Sequence, residues 1–408
     1  MRVIIQKFGG TSLASPEVRD LVVEKIKKTL QQGYQSVVVV SAMGRRGDNY
    51  ATDTLIDLAR SINKNISLRE MDQVMYCGEM ISAVVMAATL QAAGIQAVTL
   101  TGGQAGIITD ATFGQARILK VDPARVVSLL KTGKTPVVCG FQGITVDGEF
   151  TTLGRGGSDT TAAALGAALN AELVEIFTDV EGIMTADPRI VHDARKLERI
   201  GYNEVCQLAH QGAKVIHPRA VEIAMQKNIP LVVKSTFSNA SGTLITSASA
   251  CEPMYETAVY DRVATGVTYQ TGIAQLAVKP LQRETAWSSY DVFKAMADIP
   301  VSVDFINIHP DQVLFTVNEE IADKASNKLR DLGYSVNIRC NCAKVSVVGG
   351  GMREVPGVMA SVAEALTVND IPILQTVDSH TSISVLIDKS QVETAVRSLH
   401  EKFDLARC

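Results

Sequence analysis

Aromatic residues are scarce in this 408-residue chain, at 5% with a single Trp, and net charge is small, −4 at pH 7. That balance argues against a nucleic-acid footprint, which would need a clustered basic face. The seven Cys are odd in number and form no C-x-x-C pair, Cys340 and Cys342 being separated by one residue. Scattered thiols of this kind suit a reducing cytosol, each reading as a small buried hydrophobe. The six His show no metal-ligand spacing, so no protein-held metal is expected. Long apolar runs are missing too. Arg2 is followed by only three apolar residues before Gln6-Lys7, so the start reads as a strand and not as a signal peptide. The most membrane-like window, residues 81–100, contains Gln91, Gly94 and Gln96 and reads as a buried helix, a turn and a strand. What abounds is Ala, Val and Ile, an α/β composition with room for two or three domains.

The stretch that organises the chain is residues 151–171, TTLGRGGSDTTAAALGAALNA. Gly154, Gly156 and Gly157 allow close approach to a ligand. Ser158-Asp159 stands where a helix-capping side chain would open the Ala-rich run. A helix N-terminus offers free N–H groups to an anion, and Arg155 adds a planar fork suited to carboxylate or phosphate. No Gly-Lys-Ser/Thr follows, which excludes a Walker loop, and Asp159 occupies the third glycine position of a dinucleotide fingerprint. A plain Gly-rich turn before a buried helix is the competing reading; Arg155 and Asp159 bracketing the glycines favour a ligand loop.

Upstream, residues 3–5 form a strand that runs into Lys7-Phe8-Gly9-Gly10-Thr11-Ser12 and a helix from Pro16, a plausible phosphate cradle. A second strand, residues 36–40, ends at Ser41-Ala42-Met43-Gly44, where open α/β sheets bind ligands. Residues 44–53, with Arg45, Arg46 and Thr52, read as a mobile loop over that edge. Glu79 lies in an otherwise apolar helical stretch, and its neighbours leave a solvated and a buried reading open. Strands at 97–100, 136–139, 173–177 and 231–233 alternate with helices, as a mostly parallel sheet requires. Polar residues crowd the end of the 173–177 strand: Thr178-Asp179, then Met184 and Asp187-Pro188-Arg189. Residues 235–249 are rich in Ser, Thr, Asn and Gly and mark a boundary. Beyond them, two β-α-β-β-α units follow one another, the first over 263–331 and the second over 344–400, in the manner of ligand-sensing modules.

KFGGTS (7–12), SAMG (41–44), TTLGRGGSD (151–159), FTDVEGIMTADPRI (177–190) and AKVIHPRA (213–220) together resemble the aspartokinases of the amino-acid kinase fold. KVSVVGGGM (344–352) and ISVLI (383–387) are similar to that family's paired ACT domains. The resemblance implies a mostly parallel open sheet with helices on both faces over residues 1–245, a linker at 246–262, and ACT-like domains at 263–340 and 341–408. It implies ATP-dependent phosphorylation of the β-carboxylate of L-aspartate to 4-phospho-L-aspartate. A carboxylate, with a free pKa of about 4, needs no general base at neutral pH, so the lack of a His or Cys nucleophile system is no obstacle. Charge neutralisation and in-line positioning of two anions are what the reaction demands.

By the same resemblance Lys7 lies on the transferring phosphate beside Phe8 and the Gly9 and Gly10 amides, and Asp159 orients Lys7. Arg155 takes the substrate α-carboxylate, Glu79 its ammonium, and Ser41 and Thr52 its reacting side chain, with Gly156, Gly157 and Ser158 completing the loop. Thr178, Asp179, Met184, Asp187, Pro188, Arg189 and Lys214 fall where the family holds the nucleotide, with Mg2+ arriving on ATP. Met184 stands where many relatives have Tyr, and residues 281–290 lack the Pro-Gly turn that Pro356-Gly357 keeps in the second unit. Expected partners are an amino-acid effector, L-lysine ahead of threonine, and further chains joined through the ACT units. Those chains form either a homo-oligomer or a hetero-oligomer with a regulatory chain started internally at Met254. No membrane or nucleic-acid partner is expected, and the setting is cytoplasmic. Cutting the chain near Ser247 is expected to leave a kinase, weaker but insensitive to effector. A glutamate 5-kinase-like or acetylglutamate kinase activity and an inactive amino-acid sensor are the competing readings. Glu79 speaks against an acetylated substrate, and the presence of Lys7, Arg155 and Asp159 speaks against the sensor.

Overall fold

The structure is a computed structural model, and it describes residues 1–213, 215–247, 263–281, 288–352 and 355–407. The chain divides into two compact units. The first is Met1–Ile183, Lys196–Ala209 and Lys214–Glu256; the second is Met184–Arg195, His210–Ala213 and Thr257–Cys408.

The first half of the first unit runs β1 (Val3–Phe8), α1 (Pro16–Gln31), β2 (Gln35–Val40), α2 (Thr52–Ile62), α3 (Leu68–Ala92), β3 (Ala97–Leu100), β4 (Ile107–Thr109), β5 (Ile118–Val121) and α4 (Ala124–Lys131). It continues with β6 (Thr135–Cys139), β7 (Gln142–Ile144), β8 (Phe150–Thr152), α5 (Gly157–Leu169), β9 (Leu173–Thr178), β10 (Arg199–Gly201), α6 (Tyr202–His210), α7 (Pro218–Gln226), β11 (Leu231–Ser235) and β12 (Thr243–Thr246). Eight strands form one sheet in the order β10-β12-β11-β9-β1-β2-β6-β3, parallel throughout except for β11 against β12. The central strands read as unbroken apolar runs, such as the wholly buried Val37–Val40 of β2, because helices cover both faces of a parallel sheet. A small four-stranded sheet, β5-β4-β7-β8, had no counterpart in the sequence reading: its strands are only three or four residues long.

Helix starts follow the expected chemistry at α1, where the Ser15 side chain accepts from Val18 N ahead of Pro16. α3 is the 25-residue core helix expected before Gly94, capped by Ser67. It is long and apolar enough to cross a membrane, but half of its most apolar window is buried in the protein. Residues 44–53 make local hydrogen bonds, Asp48 accepting from Arg45 N at 2.7 Å and Gly47 N donating to Thr54, and α2 already begins at Thr52.

The second unit repeats one order twice: β13 (Gly266–Pro280), α8 (Ser289–Asp298), β14 (Asp304–His309), β15 (Gln312–Asn318), α9 (Ala322–Asp331), then β16 (Tyr334–Val348), α10 (Val358–Thr367), β17 (Gln375–Asp378), β18 (Ser382–Asp388), α11 (Val392–Lys402). One six-stranded antiparallel sheet results, β14-β15-β13-β16-β18-β17. β17 starts at Gln375, beyond Pro372, which has no N–H for a ladder. α10 begins after Gly357 in the left-handed region (φ 89°), whereas Ser288 caps α8 through Tyr290 N; residues 282–287 of the departing turn lie outside the described residues.

Two features differ from domains laid end to end. β13 and β16 are 15-residue strands shared by both repeats, residues 266–270 pairing with 344–348 and residues 273–280 with 334–342. Val267 accordingly packs with Val345 and Val347 in the core of the second repeat, while Leu276 and Val278 pack in that of the first. The segment Met184–Arg195 also joins this unit: Ala186, Ile190 and Val191 sit in the same core as Val345, Leu366 and Leu399. The 246–262 linker, with Met254, falls almost wholly outside the described residues.

Candidate active site

The carboxyl ends of β1, β2, β6 and β9 meet the N-terminus of α5 in the first unit. Gly10 closes the approach between the first two strands: a Cβ there would lie 2.6 Å from both Ala42 O and Gly44 O. The chain is held in that position by Gly44 N donating to Gly10 O and Ser41 N to Phe8 O. Gly140, after β6, plays the same part opposite, where a Cβ would come within 2.7 Å of Ser158 Oγ.

Lys7 and Asp159 form the centre. Lys7 Nζ lies 2.7 Å from Asp159 Oδ1, with the side chains only 13% and 11% exposed. This ammonium is that oxygen's partner, since no hydrogen bond reaches it among the described residues. Gly9 lies beside the lysine tip, an added Cβ falling 3.6 Å from Nζ in ordinary van der Waals contact. Ser41 Oγ donates to Ser158 Oγ at 3.0 Å, joining the end of β2 to α5. The expected cap does not form. Gly156, at φ 70°, is the residue before the helix and supplies no side chain, so Ser158 and Asp159 lie inside the first turn. Their side chains are thereby free to meet Ser41 and Lys7.

Glu79 is buried. Its Oε1 accepts from Ala42 N at 3.2 Å and stands 3.5 Å from Thr52 Oγ1, while Oε2 has no partner among the described residues. Burial pushes the carboxyl up to about 8, only partly offset by these hydrogen bonds. A buried acid with an unpaired oxygen suits a cationic group, for which it would supply the counter-charge.

Other expected residues are placed differently. Phe8 is a core residue whose ring stacks on Phe177 at 4.6 Å, so only its main chain faces the site. Ser12 ties its loop to the end of β11 through Thr236, hydroxyl to hydroxyl at 2.7 Å. Gly157 is closely packed, with Phe141 Cδ2 2.5 Å from where a Cβ would be. Arg155 is exposed and lines a cavity of about 1060 Å³ together with Gln115, Arg117, His217 and Arg219. Thr178 ends β9, and the exposed Asp179 after it is paired with Arg45 at 2.8 Å. Met184, Asp187, Pro188 and Arg189 belong to the second unit, where Arg189 forks onto Asp187 and Tyr269 donates to the same carboxylate at 3.3 Å. Lys214 lies outside the described residues.

Two charged side chains that hydrogen-bond the chain just before Gly154 escaped sequence reading, Asp72 and Arg219. Asp72 is a fully buried acid on α3, and its spacing from Glu79, two helical turns on the same face, was the available signal. Arg219 stands inside the AKVIHPRA motif, from which the sequence reading singled out only Lys214.

The profile of the amino acid kinase family matches residues 2–235 and that of an ACT domain residues 337–401. Aspartokinase 1 of Bacillus subtilis is 48% identical over 407 residues, with 100% of each chain covered. The aspartokinase of Geobacillus stearothermophilus is 40% identical, covering 100% of this chain and 98% of its own. Among solved structures, E. coli aspartokinase III in complex with aspartate and ADP superposes with a TM-score of 0.80 at 23% identity, over 98% of this chain and 99% of that one. Aspartate kinase from Synechocystis gives 0.55 at 35% identity, over 98% of this chain and 69% of that one.

Proposed function

The chain belongs to the aspartokinases of the amino acid kinase family and phosphorylates L-aspartate, and we propose that it does so around the Lys7–Asp159 pair with MgATP as donor. The observation that carries this assignment is that pair, a nearly buried ammonium held by a carboxylate at the mouth of a glycine loop. Lys7 opposes the charge on the transferring phosphoryl group, with the Gly9 and Gly10 amides beside it, and Asp159 fixes its tip. The substrate β-carboxylate is the nucleophile. Its attack on the γ-phosphorus forms the acyl-phosphate bond as the bond to the β,γ-bridging oxygen breaks, and ADP leaves with that electron pair. No proton needs to move.

Glu79 receives the substrate ammonium on its unpaired Oε2, Arg155 receives the α-carboxylate, and Ser41, Thr52, Gly156, Gly157 and Ser158 line the reacting side chain. Thr178, Asp179, Met184, Asp187, Pro188, Arg189 and Lys214 contact the nucleotide, and Phe8 contributes only its main chain. Among the described residues no group of three His, Cys, Asp or Glu could hold a metal ion, and magnesium enters as part of the MgATP substrate. The setting is cytoplasmic.

An ATP-consumption assay with aspartate, glutamate and acetylglutamate tests this reading, turnover with aspartate alone being expected. Glu79 adds a sharper readout. Its carboxyl is raised to about 8 in the free protein, whereas pairing with an ammonium favours the ionised form. Aspartate binding then releases a proton. The aspartate KM is expected to fall as pH rises from 6.5 toward 8.5, and Glu79→Gln is expected to raise KM about tenfold or more and flatten this dependence. For stability the sign is opposite: the folded state holds a proton that the unfolded state loses above about 4.3. Stability is lost between that pH and about 8, and Glu79→Gln should melt higher at pH 8 without aspartate. An aspartate KM unchanged in Glu79→Gln would remove this residue from the site.

The second unit senses an amino acid, L-lysine ahead of threonine, and joins chains into an oligomer. Adding either amino acid to the same assay identifies the effector. An internal start at Met254 would give a regulatory chain holding both repeats from β13 onward. Blotting the native gene product with a C-terminal tag should show a second, shorter band that disappears when the Met254 codon is changed; a single unaltered band leaves the homo-oligomer.

A further inference from the structure

The backbone that carries Arg155 is intrinsically loose. Gly154 and Gly156 flank it at φ 75° and 70°, and the Arg155 side chain has no hydrogen bond or ion pair among the described residues. Two charged groups outside the loop hold that backbone. Asp72 Oδ2 accepts from Thr152 N and Gly114 N, both at 2.9 Å, and Asp72 Oδ1 accepts from Thr152 Oγ1 at 2.7 Å. Arg219 donates to Leu153 O at 2.8 Å and to Ala116 O at 2.9 Å. Both clamps therefore grip the same two strands of chain, residues 114–116 and 152–153, which also bond each other through Ala116 N and Thr152 O.

We propose that Asp72 and Arg219 are positioning residues that set affinity for L-aspartate by fixing the loop from which Arg155 projects. This rests on the reading of Arg155 as the α-carboxylate contact. α3 then serves as a ruler. Glu79, for the ammonium, and Asp72, for the loop of the α-carboxylate contact, stand seven residues apart on one rigid helix, about 10 Å along its axis. One element thus spaces both ends of the zwitterion clamp, and each end is held by a side chain buried within the first unit.

Substitutions at Asp72 separate geometry from charge. Asp72→Ala strips the acceptors from two backbone N–H groups and a hydroxyl. Asp72→Asn keeps them: the amide oxygen takes both N–H donors, and the NH₂ donates to Thr152 Oγ1, whose own proton turns away. Asp72→Ala and Arg219→Ala are each expected to raise the aspartate KM about tenfold or more, with the MgATP KM and kcat within twofold. Asp72→Asn is expected to stay within about threefold of the parent. A purely structural role would instead lower kcat and move both KM values together. Arg155→Ala run in parallel separates the two ideas. If it raises the aspartate KM while Asp72→Ala and Arg219→Ala do not, the proposal is overturned; if it has no effect, the α-carboxylate reading fails instead. Should Asp72→Ala not fold, Arg219→Ala, half-buried at the start of α7, decides alone.

Discussion

Lys7→Ala is expected to lower kcat by about two to three orders of magnitude while the MgATP KM moves far less. The reason lies in where the charge sits. Lys7 Nζ is nearly withdrawn from water and fixed at 2.7 Å by Asp159, so its field reaches a developing charge without reorganising at the moment of transfer. In a low-dielectric cleft such a group acts more strongly on the transition state, where charge shifts onto the leaving oxygen, than on bound ATP. The substitution also leaves Asp159 buried and unpaired, so a loss of stability has to be separated from a loss of chemistry. Measuring kcat alongside thermal melting in Lys7→Ala, Asp159→Ala and the double variant does so. The double variant should melt higher than Lys7→Ala, since no lone carboxylate remains, yet stay as slow. If only the ATP KM rises, Lys7 binds the ground state and its assigned role is wrong.

Most of the first unit was legible because it is local. A run such as SVVVV has one comfortable place, a central parallel strand, and Gly9-Gly10 or Gly154–Gly157 at strand ends announce close approach whatever the surroundings. Glu79 was legible as a question, since an acid among Met, Ile and Ala either turns outward or has work inside, and its buried, half-satisfied carboxylate answers it. What was hidden depended on partners remote in sequence. Ser158 and Asp159 look like caps until Gly156 is seen to open the helix and leave their side chains to Ser41 and Lys7. Phe8 reads as part of a motif, and only the stacking of Phe177 from a strand 169 residues later shows its ring to be core. Asp72 meets Thr152 and Arg219 meets Leu153 across 80 and 66 residues; the spacing from Glu79 puts Asp72 on the same face of α3 but does not name its partner. The four-stranded sheet fails for a different reason: three residues are too few to show a period.

A chain ending at Ser247 is expected to be a crippled kinase, with kcat/KM for MgATP down about a hundredfold or more, and not a merely deregulated one. The expectation from sequence was a cut in a linker. The structure assigns Met184–Arg195 to the second unit, and the cut removes nearly everything that segment rests on. Ile190 and Val191 would lose the apolar cover of Val345, Leu366 and Leu399, each side chain worth about 1.5–3 kcal/mol when buried. Val267 N would no longer donate to Thr185 O, nor Arg397 Nε to Ile190 O, and His400 would leave the Thr185 hydroxyl. Asp187 and Arg189, proposed nucleotide contacts, would lose Tyr269 and the backbone that presents them. Conformational entropy then favours an open segment, because about 1–2 kcal/mol per residue is needed to fix a backbone. Hydrogen exchange over residues 184–195 should be slow in the full chain and fast in the truncated one, and the MgATP KM should rise more than the aspartate KM. A truncated chain with the parent's MgATP KM would show that the segment keeps its working conformation without the tail, and with it would go the placement of the nucleotide on Asp187 and Arg189 as the second unit holds them.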